Sequence, residues 1–127
     1  MTETTNGITA TNIKYLTVIY TLSGKERFVK CSDIAQQLSV SRPTVHAMMR
    51  TLSRCGYIQK SRYGKVTLTQ NGSSKARIYS QSYESIYQYM SKICPEKTDM
   101  AETVYTFMAQ VRPEHLADIC KNIVSEN

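Results

Sequence analysis

The side chains best suited to specific chemistry lie between residues 41 and 54. When this segment is placed on a helix, Arg50 falls on the same stripe as Pro43 and Ala47. An arginine can donate two hydrogen bonds to a guanine edge, and a proline ring or an alanine methyl can contact the methyl group of thymine. The stripe therefore predicts a surface that contacts base edges in duplex DNA.

Neighbouring residues carry side chains suited to DNA phosphates. The hydroxyls of Ser41 and Thr44 would lie at the N-terminus of the helix, where anions bind. The complete set of candidate DNA-contact residues is Ser32, Ser41, Arg42, Pro43, Thr44, His46, Ala47, Arg50, Arg54, Lys60, Arg62, Tyr63 and Lys65. A polar stripe is also typical of any solvated amphipathic helix, so the prediction depends on the elements around it.

Two short helices are predicted to position this stripe. An extended segment at 28–29 precedes Ser32 and Asp33, which open a helix of about two turns. After a tight turn at 38–40, Ser41 caps the next helix. Two helices joined by such a turn form a helix-turn-helix, whose second helix enters the major groove of DNA.

The flanking segments complete a winged helix. A helix capped by Thr11 or Asn12 and ended by Gly24 is predicted ahead of the pair. Strands at 57–60 and 65–69 are predicted after it, and their turn carries cations suited to phosphates or to a minor groove. We therefore expect a mainly α fold with a small two-stranded β wing, in which a winged helix-turn-helix is followed by a helical dimerisation region.

The net charge of +6 is unevenly distributed along the chain. Residues 1–72 hold ten Lys and Arg against three Asp and Glu, whereas residues 73–127 hold six against seven. The first segment is thus +7 and the second −1, which favours a first half that faces a polyanion. The expected organisation is a disordered tail at 1–10, a DNA-binding domain at 11–72 and a helical dimerisation region at 73–127.

The second half is predicted to contain one long helix and two shorter ones. The long helix runs from Gln70 to about Ile93, and the others begin near Asp99 and at Pro113. Apolar residues recur at three- and four-residue steps, as in helices that pack on one another. The predicted dimer-interface residues are Tyr79, Tyr83, Ile86, Met90, Ile93, Val104, Phe107 and Met108. The same stripe can instead form internal core or line a ligand cleft.

Several segments together resemble the metal-dependent repressors of the diphtheria-toxin-repressor and manganese-transport-regulator type. The segments that carry the resemblance are Ser32-Asp33-Ile34-Ala35, Ser41-Arg42-Pro43-Thr44-Val45, Gly56-Tyr57-Ile58 and Val66-Thr67-Leu68-Thr69-Gln70-Asn71-Gly72. The resemblance extends over roughly residues 12–123 and implies a two-fold dimer on a palindromic DNA site. The ending of the last segment is also similar to the multiple-antibiotic-resistance regulators.

The resemblance implies a metal site whose ligands this chain mostly lacks. At the matching positions stand Lys14, Thr17, Tyr83, Glu102, Tyr105 and Thr106. Only Glu102 is a good ligand for a divalent metal, and its spacing from Asp99 is equally typical of a helix cap. Lys14 and Glu102 are therefore candidates for an ion pair that substitutes for the metal, and we expect neither a metal nor another cofactor.

Other functional classes have little support in the sequence. Cys31, Cys55, Cys94 and Cys120 lie too far apart for a zinc or redox motif, so we expect small, buried, reduced thiols. The chain has no glycine-rich phosphate loop and no recognisable nucleophile motif, which argues against an enzyme. It also has no signal peptide and no apolar stretch of about 20 residues, so a cytoplasmic protein outside the membrane is expected.

The sequence thus predicts a transcriptional regulator, expected to repress, that binds a palindromic operator in double-stranded DNA as a homodimer without a divalent metal. One alternative is a metal-responsive repressor with a non-standard site. The other is a winged helix that contacts a protein. The sequence leaves open the operator and any small-molecule effector.

Overall fold

The computed structural model describes residues 8–24 and 28–126. Its elements, in chain order, are α1 (Ala10–Ser23), β1 (Val29–Lys30), α2 (Cys31–Leu38), α3 (Arg42–Arg54), β2 (Ile58–Lys60), β3 (Lys65–Leu68), α4 (Gln70–Ile93), α5 (Met100–Ala109) and α6 (Pro113–Glu126). The mainly helical winged-helix fold is therefore confirmed. Most of the tail predicted to be disordered lies outside the described residues, whereas Ile8 is buried.

The chain forms two compact units. One comprises Tyr15–Ala76 and is called the wing unit below, and the other comprises Met1–Lys14 with Arg77–Asn127 and is called the helical unit. Both α1 and α4 contribute residues to each unit. The domain boundary expected at residue 72 stays a prediction.

The sheet of the wing unit has three strands in the described chain, one more than the sequence predicted. Its order is β1-β3-β2, with antiparallel pairing of Val29 with Val66 and of Ile58 with Leu68. A strand of two residues has no periodicity of its own, so the sequence predicted an extended segment at 28–29 but not its pairing with β3; the paired Val29 and Val66 are 2% and 0% exposed. The extra strand attaches the wing to the segment that leads into α2.

The first two helices begin earlier than predicted. The side chain of Thr9, rather than that of Thr11 or Asn12, caps α1, because its hydroxyl accepts a hydrogen bond of 3.0 Å from the Asn12 N–H. Gly24 follows the end of α1 with a positive φ of 42°, as its place after the helix suggested. The apolar spacing thus located α1, whereas the residue that caps it depended on the local path of the backbone.

No side chain caps the start of α2. The helix begins at Cys31 directly after β1, so Ser32 and Asp33 lie inside its first turn instead of opening it. The N–H of Cys31 instead donates to the carbonyl oxygen of Gly64 at 3.0 Å. One of the free N–H groups of a helix start is thus satisfied by the wing.

α3 has the caps that its sequence predicts. The Ser41 hydroxyl accepts a hydrogen bond from the Thr44 N–H at 3.2 Å, and Pro43 lies in the first turn, where a missing N–H has no cost. Gly56 follows the helix with a φ of 81°, a conformation that favours glycine. The cap and the glycine fix where α3 begins and ends in front of β2.

The helices after the wing begin and end close to where the sequence predicted. α4 ends before Cys94, Asp99 caps α5 by accepting a hydrogen bond of 3.2 Å from the Glu102 N–H, and Pro113 opens α6. The core of the helical unit includes the fully buried side chains Ile13, Tyr79, Val104, Met108 and Leu116. Within the described residues, no helix has the length and apolar character to cross a membrane.

Candidate nucleic-acid interface

The two faces of α3 separate as the sequence predicted. Val45, Met49 and Leu52 are 0% exposed and belong to the core of the wing unit. Pro43, Ala47, Arg50 and Arg54 are exposed, and so is Arg42 at the start of the helix. The exposed stripe offers the side chains expected to contact DNA, and that contact stays a prediction.

His46 is less exposed than its assignment to this stripe implied. The ring is only half-exposed, and its Nδ1 is buried with no hydrogen-bond partner among the described residues. A buried polar atom without a partner is uncommon, because leaving water without a new hydrogen bond is unfavourable. The imidazole therefore has at most one nitrogen available to a ligand.

The hydroxyls at the start of α3 bind one another. Ser41 Oγ and Thr44 Oγ1 are 2.8 Å apart, and Ser41 Oγ also accepts from the Thr44 N–H. Both residues are exposed, whereas Ser32 on α2 is half-buried. Any phosphate at this end of the helix would have to share these hydroxyls with the cap.

The wing turn is organised by one serine. Ser61 Oγ accepts hydrogen bonds from the N–H groups of Tyr63 at 3.3 Å and Lys65 at 3.2 Å. This turn leaves Tyr63 82% exposed, next to the exposed cations of Lys60 and Arg62. The wing turn and the end of β2 thus expose an aromatic ring and two cations to solvent.

Lys65 has a second role that the sequence did not suggest. Its Nζ lies 4.7 Å from the centroid of the Phe28 ring, in cation–π geometry. Phe28 directly precedes β1. The lysine therefore helps to hold this segment against β3, in addition to its predicted contact with DNA.

The junction between the wing and α4 depends on Thr69 and Gly72. Thr69 Oγ1 donates to the carbonyl oxygen of Gly56 at 2.6 Å and accepts from the Gly72 N–H at 3.0 Å. A Cβ atom at Gly72 would overlap the carbonyl oxygen of Tyr57. Nothing in the sequence indicated the close approach at Gly72.

The predicted dimer-interface residues divide into two groups. One group is at most 1% exposed within the chain itself, as expected if these side chains form internal core: Tyr79, Ile86, Val104 and Met108. The others are more accessible: Met90, Ile93 and Phe107 line a cleft of about 390 Å³, and Tyr83 is half-buried. Only the second group has apolar surface left for a further partner.

Tyr83 lies in a cluster of three tyrosines. Its ring centroid is 5.0 Å from that of Tyr105 and 5.7 Å from that of Tyr87. Burial, together with the neighbouring Tyr105 and Tyr87 hydroxyls, raises the pKa of Tyr83 to about 12. At neutral pH the phenol is therefore protonated and is a poor ligand for a divalent metal.

The residues at the positions that match the metal ligands of the repressors this sequence resembles do not fit a divalent metal. Glu102 is exposed, Lys14 is half-buried, and the remaining positions carry hydroxyl groups. In the part of the chain that the structure describes, no group of three or more His, Cys, Asp or Glu residues could hold a metal ion. The ion pair expected between Lys14 and Glu102 stays a prediction.

The four cysteines are free thiols, but they differ in exposure. Cys31 is buried, which raises the pKa of its thiol, and Cys94 and Cys120 are half-buried. Cys55 is exposed, contrary to the expectation of four buried thiols. It directly follows α3.

The sequence is similar to known DNA-binding proteins. Residues 8–66 match the model of the iron dependent repressor N-terminal DNA binding domain. The HTH-type transcriptional regulator MntR of Lysinibacillus sphaericus is 32% identical over 75 residues, which cover 59% of this chain and 54% of that protein.

Two solved structures are similar over most of the chain. The IdeR protein of T. acidophilum superposes with a TM-score of 0.61 at 20% identity, over 87% of this chain and 52% of that one. A hypothetical protein from Sulfolobus solfataricus superposes with a TM-score of 0.60 at 22% identity, over 94% of this chain and 92% of that one. The chain spans about half the length of MntR and IdeR. Together with the fold, the match over residues 8–66 shows a winged-helix protein whose first half is similar to the DNA binding domain of iron dependent repressors.

Proposed function

We propose that this chain is a sequence-specific transcriptional regulator that binds duplex DNA through α3 and the wing. The observation that carries the proposal is the exposed face of α3, where Pro43, Ala47 and Arg50 are available while the opposite face is fully buried. The N-terminal half of such a helix contacts base edges in helix-turn-helix proteins. The proposed regulation is repression in the cytoplasm from a palindromic operator, and the similarity of residues 8–66 to the DNA binding domain of a repressor supports its repressive character.

The distribution of charge favours DNA over a protein as the partner of this face. The +7 charge of residues 1–72 includes the exposed cations of α3 and of the wing turn. A winged helix that contacts a protein does not require such an excess of positive charge. A polyanion, by contrast, gains affinity from each cation that neutralises a phosphate.

The experiment is a titration of mixed-sequence duplex DNA with the full chain at two salt concentrations. We expect binding that weakens by at least about tenfold between 50 and 200 mM salt, because several phosphate contacts release counterions. Selection from a random-sequence library would then give the preferred site and show whether it is palindromic. Binding that is absent, or that does not depend on salt, would contradict the proposal.

DNA binding is expected not to require a divalent metal. The positions that match the metal ligands of the repressors this chain resembles offer a single carboxylate, the exposed Glu102, which is too few ligands to hold a divalent metal. Binding to the selected site should therefore be unchanged after dialysis against a chelator. Loss of binding with the chelator and recovery with manganese, iron or zinc would instead favour a metal-responsive repressor with a non-standard site.

The Lys14→Met variant tests the substitute ion pair separately. Because Glu102 is exposed, the pair is worth at most about 1 kcal/mol, and the variant should bind DNA no more than about fivefold more weakly. A larger loss of affinity would show that the ion pair contributes substantially to DNA binding.

The proposed assembly is a homodimer. Ile93 and Val124 are 63% and 67% exposed, and Ile93 lines the apolar cleft of the helical unit with Met90 and Phe107. Exposed apolar surface of this kind is typical of an interface. Light scattering on a sizing column decides the point, and a monomer at micromolar concentration would contradict both the dimer and the palindromic site.

A further inference from the structure

Three cations of the wing unit line one cleft. Arg50 and Arg54 come from α3 and Lys60 from β2, and the cleft between these elements has a volume of about 430 Å³. Ser53 contributes a hydroxyl to its wall, and the fully buried Met49 contributes apolar surface. Among the residues that the structure describes, no carboxylate lines this cleft. Like charges brought together in this way repel one another unless an anion lies among them.

We infer that this cleft binds a single phosphate group of the DNA backbone, an inference that rests on the proposed function. Guanidinium groups form paired hydrogen bonds with phosphate oxygens, and an ammonium and a hydroxyl supply further donors. The three cations are exposed, so a phosphate can reach them from solvent. Because they come from two elements, one phosphate would fix the position of α3 relative to the wing.

The cleft changes the role expected of Arg50. The sequence assigned Arg50 to a guanine edge, but the residue lies in the C-terminal half of α3, in one cleft with Arg54 and Lys60. Base edges are contacted mainly by the N-terminal part of a recognition helix. Arg50 therefore acts on the backbone, and base discrimination belongs to Pro43 and Ala47 nearer the start of α3.

The number of phosphates can be counted from the salt dependence of binding. Each neutralised phosphate contributes about 0.9 to the slope of log K against log salt concentration in duplex DNA. If Arg50, Arg54 and Lys60 share one phosphate, the triple variant with glutamine at all three positions should lower the slope by about 0.9. Three separate phosphates would lower it by about 2.7. The loss of affinity should be equal on the selected site and on a scrambled duplex.

The single variants and a control complete this measurement. Arg50→Gln alone should lower the slope by less than about 0.9, because Arg54 and Lys60 still lie at the same phosphate. Lys97→Gln removes an exposed cation from the segment between α4 and α5, and should leave the slope unchanged. A slope change near 2.7 for the triple variant would overturn the single-phosphate cleft, as would a loss for Arg50→Gln confined to the selected site.

A second measurement separates this inference from the proposed function. Inorganic phosphate, added at constant ionic strength against chloride, should shift the amide resonances of Ser53, Arg54 and Lys60 in the wild type and not in the triple variant. If phosphate binds there but duplex DNA does not bind at all, the cleft is a site for a free anion and the proposed function is wrong. If neither binds, the cleft inference is wrong as well.

Discussion

Replacing Gly72 by alanine is expected to lower the free energy of unfolding by about 3 kcal/mol. The new Cβ would overlap the carbonyl oxygen of Tyr57, a backbone atom that cannot move aside by changing a rotamer. Helix propensity alone predicts the opposite sign, since alanine is favoured over glycine inside a helix by about 1 kcal/mol. Denaturant unfolding followed by circular dichroism measures the difference.

Ser74→Ala is the matched control for this substitution. Ser74 lies two residues further along α4 and is exposed, so the change should alter stability by less than about 0.5 kcal/mol. A Gly72→Ala variant as stable as the control would show that α4 does not approach the Tyr57 backbone closely.

The Ala47→Glu variant is expected to bind duplex DNA at least about 100-fold more weakly, because a carboxylate facing a polyanion costs several kcal/mol. Ala47 is exposed in the middle of the α3 stripe, so the substitution should leave the unfolding midpoint nearly unchanged. Fluorescence anisotropy with a labelled mixed-sequence duplex measures the loss.

Ala117→Glu provides the same chemical change at a distant site. Ala117 is exposed on α6 in the helical unit, and DNA binding should stay within about twofold of the wild type. An equal loss for both variants would indicate a general effect of charge, and no loss for Ala47→Glu would remove the exposed face of α3 from the interface.

Helices were the most predictable part of this fold because their apolar residues recur at a fixed spacing. Ser41 located the start of α3, since a serine side chain at that point can accept the hydrogen bond of a free N–H, and the buried Val45, Met49 and Leu52 recur at the spacing of one helix face. α4 was predicted with its observed limits for the same reasons.

The features that the sequence missed depend on residues that are distant in the chain. The sequence predicted an extended segment at 28–29 but not its pairing with β3, and α2 begins at Cys31, where the Gly64 carbonyl accepts its N–H. The approach of Gly72 to Tyr57 likewise follows from the tertiary path of the backbone. A local propensity does not contain this information.

The candidate site was predictable by residue type but not by grouping. Periodicity placed Arg50 and Ala47 on one exposed stripe, as the structure has it. Periodicity gives no distance between α3 and β2, so it did not bring Arg50, Arg54 and Lys60 into one cleft. In the second half, apolar residues at helical spacing occur both in a dimer interface and in an internal core, so the spacing alone does not distinguish the two. Tyr79 and Val104 are in fact fully buried within the chain.

The proposal that α3 and the wing bind DNA is tested most directly by mapping amide resonances during titration with the selected duplex. We expect the largest changes at Arg42–Arg54 and in the wing turn around Tyr63, with small changes on α5 and on the exposed face of α6. Changes concentrated on α5 and α6, with none on α3, would contradict the account.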